Sequence, residues 1–218
     1  MKHLLSILLA LALCTLASAQ KLKSEGANAS EIIPNGWEII SESTGDLNKD
    51  GIADLAFIVR ENEDSMIIKE EYRTINENAY TLAIYWGTPN GKFTHYKDWV
   101  GLFSAEGESE SYEDLSVEIT TRGTMKIHVH VFISAGSWTN PNFTVTYRYQ
   151  NGDFYKIGYD SSEFHRGTGE GVSVSINYST GKKYVEPFSM SDDKKQKGYW
   201  ETLEGEEKKL KKLGEETW

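Results

Sequence analysis

Apolar residues recur at every second position over most of this chain, and that period restricts its fold more than any other feature. Val172, Val174, Ile176 and Tyr178 alternate with Ser173, Ser175 and Asn177, and Phe143, Val145, Tyr147 and Tyr149 alternate with Thr144, Thr146 and Arg148. Met125, Ile127, Val129, Val131 and Ile133 make one face of a third run. Side chains of a strand point to opposite faces in turn, so these segments read as strands with one face against a core. Leu55 to Val59 is apolar at every position, which suits a central strand covered on both sides. Between the runs stand Asn90-Gly91, Arg122-Gly123, Asn151-Gly152 and Thr180-Gly181, and such pairs supply the positive φ of tight hairpin turns. The prediction is a single all-β domain of antiparallel hairpin sheets, arranged as propeller-like blades or as a β-sandwich.

The hairpins resemble one another. TLAIYWGTPNGKFTHYKDW (Thr81 to Trp99) and FTVTYRYQNGDFYKIGYD (Phe143 to Asp160) each carry a Thr/Tyr strand, an Asn-Gly turn, a Phe two residues beyond the glycine and a basic-aromatic strand. INYSTGKKYVE (Ile176 to Glu186) is a fainter copy. Repetition of this kind suggests stacked hairpin units, although exposed hairpins share the same turn chemistry without any common unit. The β-domain is expected over residues 37–188, after a small polar leader at 20–36 that is either a strand or a linker. Glu61 to Tyr80 is too long for a structureless loop and is expected to extend the flanking strands or to hold a short helix. The Lys/Glu-rich tail, 189–218, reads equally as a solvated helix or a charged edge strand.

The amino end has another character. Lys2 precedes an apolar run from Leu4 to Leu13, and Ala17-Ser18-Ala19 meets the small-x-small rule for cleavage. Residues 1–19 are therefore expected to be a signal peptide that directs the protein to the periplasm or outside the cell. The run is too short to span a bilayer, and no later segment is apolar for long enough. Cys14, the one cysteine, would leave with that peptide. Leu13 stands before it where a lipobox needs a small residue, so lipid anchoring is not expected. A single cysteine also excludes an internal disulfide framework or a multi-thiolate site. The formal charge of −10 makes nucleic acid a poor partner, because phosphate binding needs clustered Lys and Arg.

The segment richest in chemistry is GDLNKDGIADLAFIV, Gly45 to Val59. Oxygen-bearing side chains fall at Asp46, Asn48, Asp50 and Asp54, Gly51 permits a sharp turn, and the Ile52 carbonyl fills the position between side chains. Carboxylates so close repel one another unless a cation neutralises them, and an all-oxygen donor set selects Ca²⁺ over transition metals. The competing reading is a turn that satisfies itself through Asx hydrogen bonds. An EF-hand would place a bidentate Glu where this chain has Phe57. The segment instead resembles the calcium loop of FG-GAP and VCBS-type repeats, DxDxDGxxD followed by an apolar strand. That resemblance implies a loop joining two strands of a blade, with Asp54 at the last ligand position and Asn48 weakening the site without abolishing it.

Other candidates are less specific. His128 and His130 share one face of a strand, a metal-ligand spacing that lacks a partner nearby in sequence. Gly167, Gly169 and Gly171 precede a strand, whereas a phosphate nest opens a helix. Trp138, in the loop AGSWTNPN, is either a cap on the core or a stacking platform for a sugar ring, and His165 and Arg166 are candidate ligand contacts in a second loop. No GxSxG motif is present. The leading expectation is an exported, calcium-stabilised, non-enzymatic binding module for an envelope glycan or protein. Its rivals are a secreted hydrolase using His128 and His130 or an acidic pair, and an inhibitor or immunity-type protein whose acidic surface mimics another molecule.

Overall fold

The computed structural model describes residues 21–191 and 196–217, so the expected signal peptide and Cys14 lie outside the described residues. The chain is almost entirely antiparallel β. The leader supplies β1 (Glu25–Gly26) and the single-turn helix α1 (Ala29–Ile32), followed by β2 (Glu38–Gly45) and β3 (Asp54–Arg60). The segment after β3 forms a 3₁₀ turn and a separate two-stranded ribbon, β4 (Ile67–Lys69) and β5 (Thr74–Asn76). Then come β6 (Tyr80–Gly87), β7 (Phe93–Val100), β8 (Glu110–Ile119), β9 (Thr124–Ile133), β10 (Asn142–Gln150) and β11 (Asp153–Phe164). The last strands are β12 (Glu170–Asn177), β13 (Lys182–Ser189) and β14 (Tyr199–Thr202). One sheet has the order β1-β7-β6-β3-β2, and the other is an unbroken meander from β8 to β14. No described helix is long and apolar enough to cross a membrane.

The hairpin turns follow the sequence signals. Gly91, Gly123, Gly152 and Gly181 all have positive φ, and Asn151 joins Gly152 in that region. β3 is buried along its length, as its unbroken apolar run requires. Ala56 and Ile58 face the core between the sheets, with Leu82, Ile84, Val117, Ile127, Val145 and Tyr147. Leu55, Phe57 and Val59 face the other way and are covered by Ala29 and Ile32 of α1, so the leader is part of the packed structure. The two similar hairpins, β6–β7 and β10–β11, lie in opposite sheets. Their aromatic side chains interlock, with Trp86 5.0 Å from Tyr149 and 6.1 Å from Phe154 between ring centres. The Tyr96 hydroxyl donates to the Gly152 carbonyl in the turn opposite, and burial pushes its pKa up to about 12.

The sheets are joined along both sides. On one, β2 runs beside β8, and the hydroxyls of Ser41 and Ser43 accept from the backbone N–H groups of Val117 and Ile119. A side chain on Gly45 would collide with Ile119, since its Cβ would lie 2.6 Å from Cγ2. On the other side, the tail latches the sheets together. Leu213 is buried, its N–H donates to the Phe154 carbonyl in β11, and its carbonyl accepts from Trp99 Nε1 in β7. Glu216 pairs with Lys156 at 2.6 Å and Lys211 at 2.5 Å. Burial opposes the Glu216 charge, but these two cations outweigh it and hold its carboxyl below the ordinary 4.5.

A carboxylate held below its unfolded value contributes stability that is present above about pH 4.5 and lost as pH falls through the folded value. Glu216→Gln is expected to cost about 1 kcal/mol at neutral pH and to flatten the acid limb of a urea-stability profile below pH 4.5. Leu213→Ala is expected to cost about 2–4 kcal/mol at all pH values. A Glu216→Gln profile that superimposes on the wild type would reject the latch.

Candidate functional site

The loop between β2 and β3 is built around Asp54, which is fully buried at the start of β3. Its Oδ2 accepts from the Leu47 N–H at 2.8 Å and the Asn48 N–H at 3.4 Å, and its Oδ1 accepts from the Gly87 N–H at 2.9 Å. Gly87 is required for this approach, because a Cβ there would sit 2.0 Å from the Ala53 carbonyl oxygen. Burial raises the Asp54 pKa, three backbone hydrogen bonds oppose the shift, and the nearby Asp50 charge adds to it. The net rise means that the buried charge favours the folded state least above the raised value.

Above Asp54 lie the half-buried Asp46 and Asn48 and the exposed Asp50. Asp46 Oδ1 accepts from the Lys49 and Asp50 N–H groups, and its Oδ2 from the Gly51 N–H. Asn48 Oδ1 accepts from the Asp50 N–H, and Asp50 Oδ1 from the Ile52 N–H. Lys49 and Gly51 take positive φ to turn these groups inward. The hydrogen bonds are those of a self-satisfied Asx loop. Among the described residues no group of three or more His, Cys, Asp or Glu side chains converges on one point. The donor set is nevertheless that of a hard cation, with Asp46, Asn48, Asp50 and the Ile52 carbonyl in one short loop and a buried like charge below.

Trp138, His165 and Arg166, which stand far apart in sequence, come together where the β9–β10 and β11–β12 loops meet. Trp138 is 65% exposed and stacks on His165, with ring centres 5.3 Å apart and an interplanar angle of 18°. Exposure decides between the two readings of Trp138: it does not cap the core. The Arg166 N–H donates to the Trp138 carbonyl at 2.9 Å, and Arg166 NH2 donates to the Ser137 carbonyl at 2.5 Å, tying the loops together. The guanidinium also lies 5.9 Å from the Phe132 ring centre. Two backbone N–H groups, of Gly167 and Thr168, point at His165 Nδ1, which leaves the ring proton on Nε2. A shallow groove of about 610 Å³ runs along Ser134 to Trp138 and Arg166. Phe132 is the contributor that sequence reasoning missed, although its outward place in the β9 alternation was a usable signal.

His128 and His130 do project from the outer face of β9, opposite the buried Met125, Ile127 and Val129. Each has a carboxylate partner on the neighbouring strand: Glu118 is 3.5 Å from His128, and Glu113 is 3.1 Å from His130. His128 Nδ1 also meets Thr144 Oγ1 at 2.9 Å. His95 is elsewhere, edge-on to Tyr85 in the other sheet and 2.7 Å from Asp98. Gly167, Gly169 and Gly171 lead into β12, a strand. A cavity of about 780 Å³ under the tail is lined by Lys156, Lys183, Lys209 and Lys211, each paired with a glutamate. Comparison of the chain with family models, curated proteins and solved structures finds no match.

The Asp54 geometry sets an expected outcome in equilibrium urea unfolding. Asp54→Ala, which orphans the buried N–H groups of Leu47 and Gly87, should cost about 2–5 kcal/mol, and Asp54→Asn, which keeps one acceptor, should cost about half as much. A loss below about 0.5 kcal/mol for Asp54→Ala would show that the carboxylate does not brace the loop.

Proposed function

We propose that this protein is an exported, non-enzymatic binding module that holds an envelope glycan on the Trp138–His165–Arg166 surface. The observation that carries the reading is the exposed Trp138 ring, backed by a parallel His165 ring and flanked by a fixed guanidinium. A pyranose offers an apolar face of C–H groups and a rim of hydroxyls. The first stacks on an indole, and the second hydrogen-bonds to guanidinium and imidazole N–H donors. Fixing the aromatic and the donors beforehand lowers the ordering cost of binding. The His128/His130 face, the basis of the hydrolase alternative, is an open strand surface on which each imidazole already faces its own glutamate. That arrangement favours binding over catalysis.

Ca²⁺ belongs to the same proposal as a structural ion. Asp46, Asn48, Asp50 and the Ile52 carbonyl would hold it, with Asp54 as the buried anchor beneath. The resemblance to FG-GAP and VCBS-type loops supports this, as does the gathering of Asp46, Asn48 and Asp50 in one tight turn. The loop and the Trp138 surface lie at opposite ends of β9, separated by roughly 30 Å of extended chain, so the ion would stabilise the fold without touching the ligand.

Two measurements test the two parts. Immobilised wild-type protein should capture polysaccharide from an envelope extract, while Trp138→Ala and Arg166→Ala, each with unchanged circular dichroism, should weaken capture by about tenfold or more, a loss of roughly 1.4 kcal/mol. Unaltered capture by both variants would sink the placement. Ca²⁺ at ten times a Kd of about 10⁻⁴ M should add about 1.4 kcal/mol, raising Tm by about 3 °C, and Asp50→Ala should remove the increment. Identical melting in Ca²⁺ and in chelator would reject the ion.

A further inference from the structure

The inner face of the seven-stranded sheet is not completely covered. Burial by the opposite sheet is full at Ile127 and Val129, whereas Val131, Ile133 and Phe143 remain half-buried. The connection from β7 to β8 crosses this end. It is strapped down by the Tyr112 hydroxyl, which donates to the Ser104 carbonyl at 2.9 Å, and by Glu106, which accepts from the Tyr112 N–H and lies 3.4 Å from Arg60. Beneath it remains a cavity of about 270 Å³ whose apolar wall is Tyr112, Val129, Val131, Ile133, Pro141 and Phe143.

Its size and wall restrict the guest. An apolar void of about 150 Å³ accepts benzene, so this one has room for an aryl ring with a short arm. Such a wall left to water forgoes about 25 cal/mol for each Å² that a guest would cover. Charge restricts the guest further, because the titratable groups that line the cavity are Glu106, Glu110 and Tyr112. The Glu106 charge is shared with Arg60, and Glu110 is exposed and forms no ion pair among the described residues. No lysine or arginine lines the cavity to receive an anion.

We infer that this cavity binds a small organic cation, an aryl or branched alkyl body carrying one ammonium group, with the body between Val131 and Phe143 and the ammonium at Glu110. The guest is a free small molecule, because the strapped connection roofs a recess where an inserted loop of another protein would need an open face. The site is independent of the glycan surface. Phe132 and Arg166 belong to the outer face of the same sheet, and the strand alternation separates them from Val131 and Ile133.

The test is an NMR titration of the wild-type chain with phenethylamine, phenethyl alcohol and phenylacetate, read at the methyl signals of Val129, Val131 and Ile133. The amine is expected to bind about two- to fivefold more tightly than the alcohol, the span set by one partly solvated ion pair, with the carboxylate weakest. Glu110→Gln, an exposed change, should bring the amine and alcohol affinities together. Val131→Trp, which fills the cavity, should abolish both. Absence of shifts at these methyls with millimolar amine overturns the site. Equal affinity of amine and alcohol in the wild type overturns the assignment of a cation. If Val131→Trp does not fold, the methyl shifts and the Glu110→Gln comparison still decide.

Discussion

One buried carboxylate organises the first sheet. Asp54 draws together the Leu47 and Asn48 amides of the loop before it and the Gly87 amide at the end of β6. A charge in this position is costly on its own, and burial does raise its pKa. It is tolerated because three N–H groups that would otherwise be orphaned find their acceptor in it. The register of β2 against β3 and of β3 against β6 is fixed at the same point, since Gly45 pairs with Asp54, and Leu55 with Tyr85. The loop above the carboxylate, with Asp46, Asn48 and Asp50, is tied to that anchor through the Leu47 and Asn48 amides.

From this corner the sheet meets its neighbour by an unusual seam. Backbone pairing would have rolled β2 and β8 into one continuous sheet. Serine hydroxyls placed between them satisfy the β8 amides while letting the sheets turn face to face around Ala56, Ile58, Val117 and Ile127. Gly45 permits the close approach. On the far side the Tyr96 hydroxyl reaches the Gly152 carbonyl, and the tail adds Leu213, which touches strands of both sheets. The core is thus bounded by a polar seam built into two strands and by a charged latch added after the last one.

The strands, the hairpin turns and the double-sided burial of β3 were legible in the sequence because each is a local property, a period of two or a glycine at positive φ. The partners of those strands were not. His128 and His130 showed no acid within reach along the chain, yet Glu118 and Glu113 face them across one strand gap. Trp138, His165 and Arg166 could each be nominated, but their convergence depends on the register of β9 to β12. The tail was ambiguous for a related reason. Its Lys/Glu pattern describes solvated surface, and its buried leucines, Leu203 and Leu213, are too few and too far apart to set a period.

The placement of chemistry along β9 also separates the acidic loop from the Trp138 surface and the apolar cavity. At one end a Cβ on Gly123 would lie 2.7 Å from the Asp46 carbonyl oxygen, so the β8–β9 turn packs closely on the acidic loop. At the other end the strand splits its two faces between different surfaces. Phe132 turns outward to Arg166, while Val131 and Ile133 turn inward to the apolar cavity. A strand makes this division without any additional structure, because adjacent side chains differ by half a turn. Two surfaces of opposite character, one aromatic and cationic, the other apolar and acidic, therefore stand back to back across a single sheet. Each can change its side chains without disturbing the other, because the backbone of the sheet lies between them.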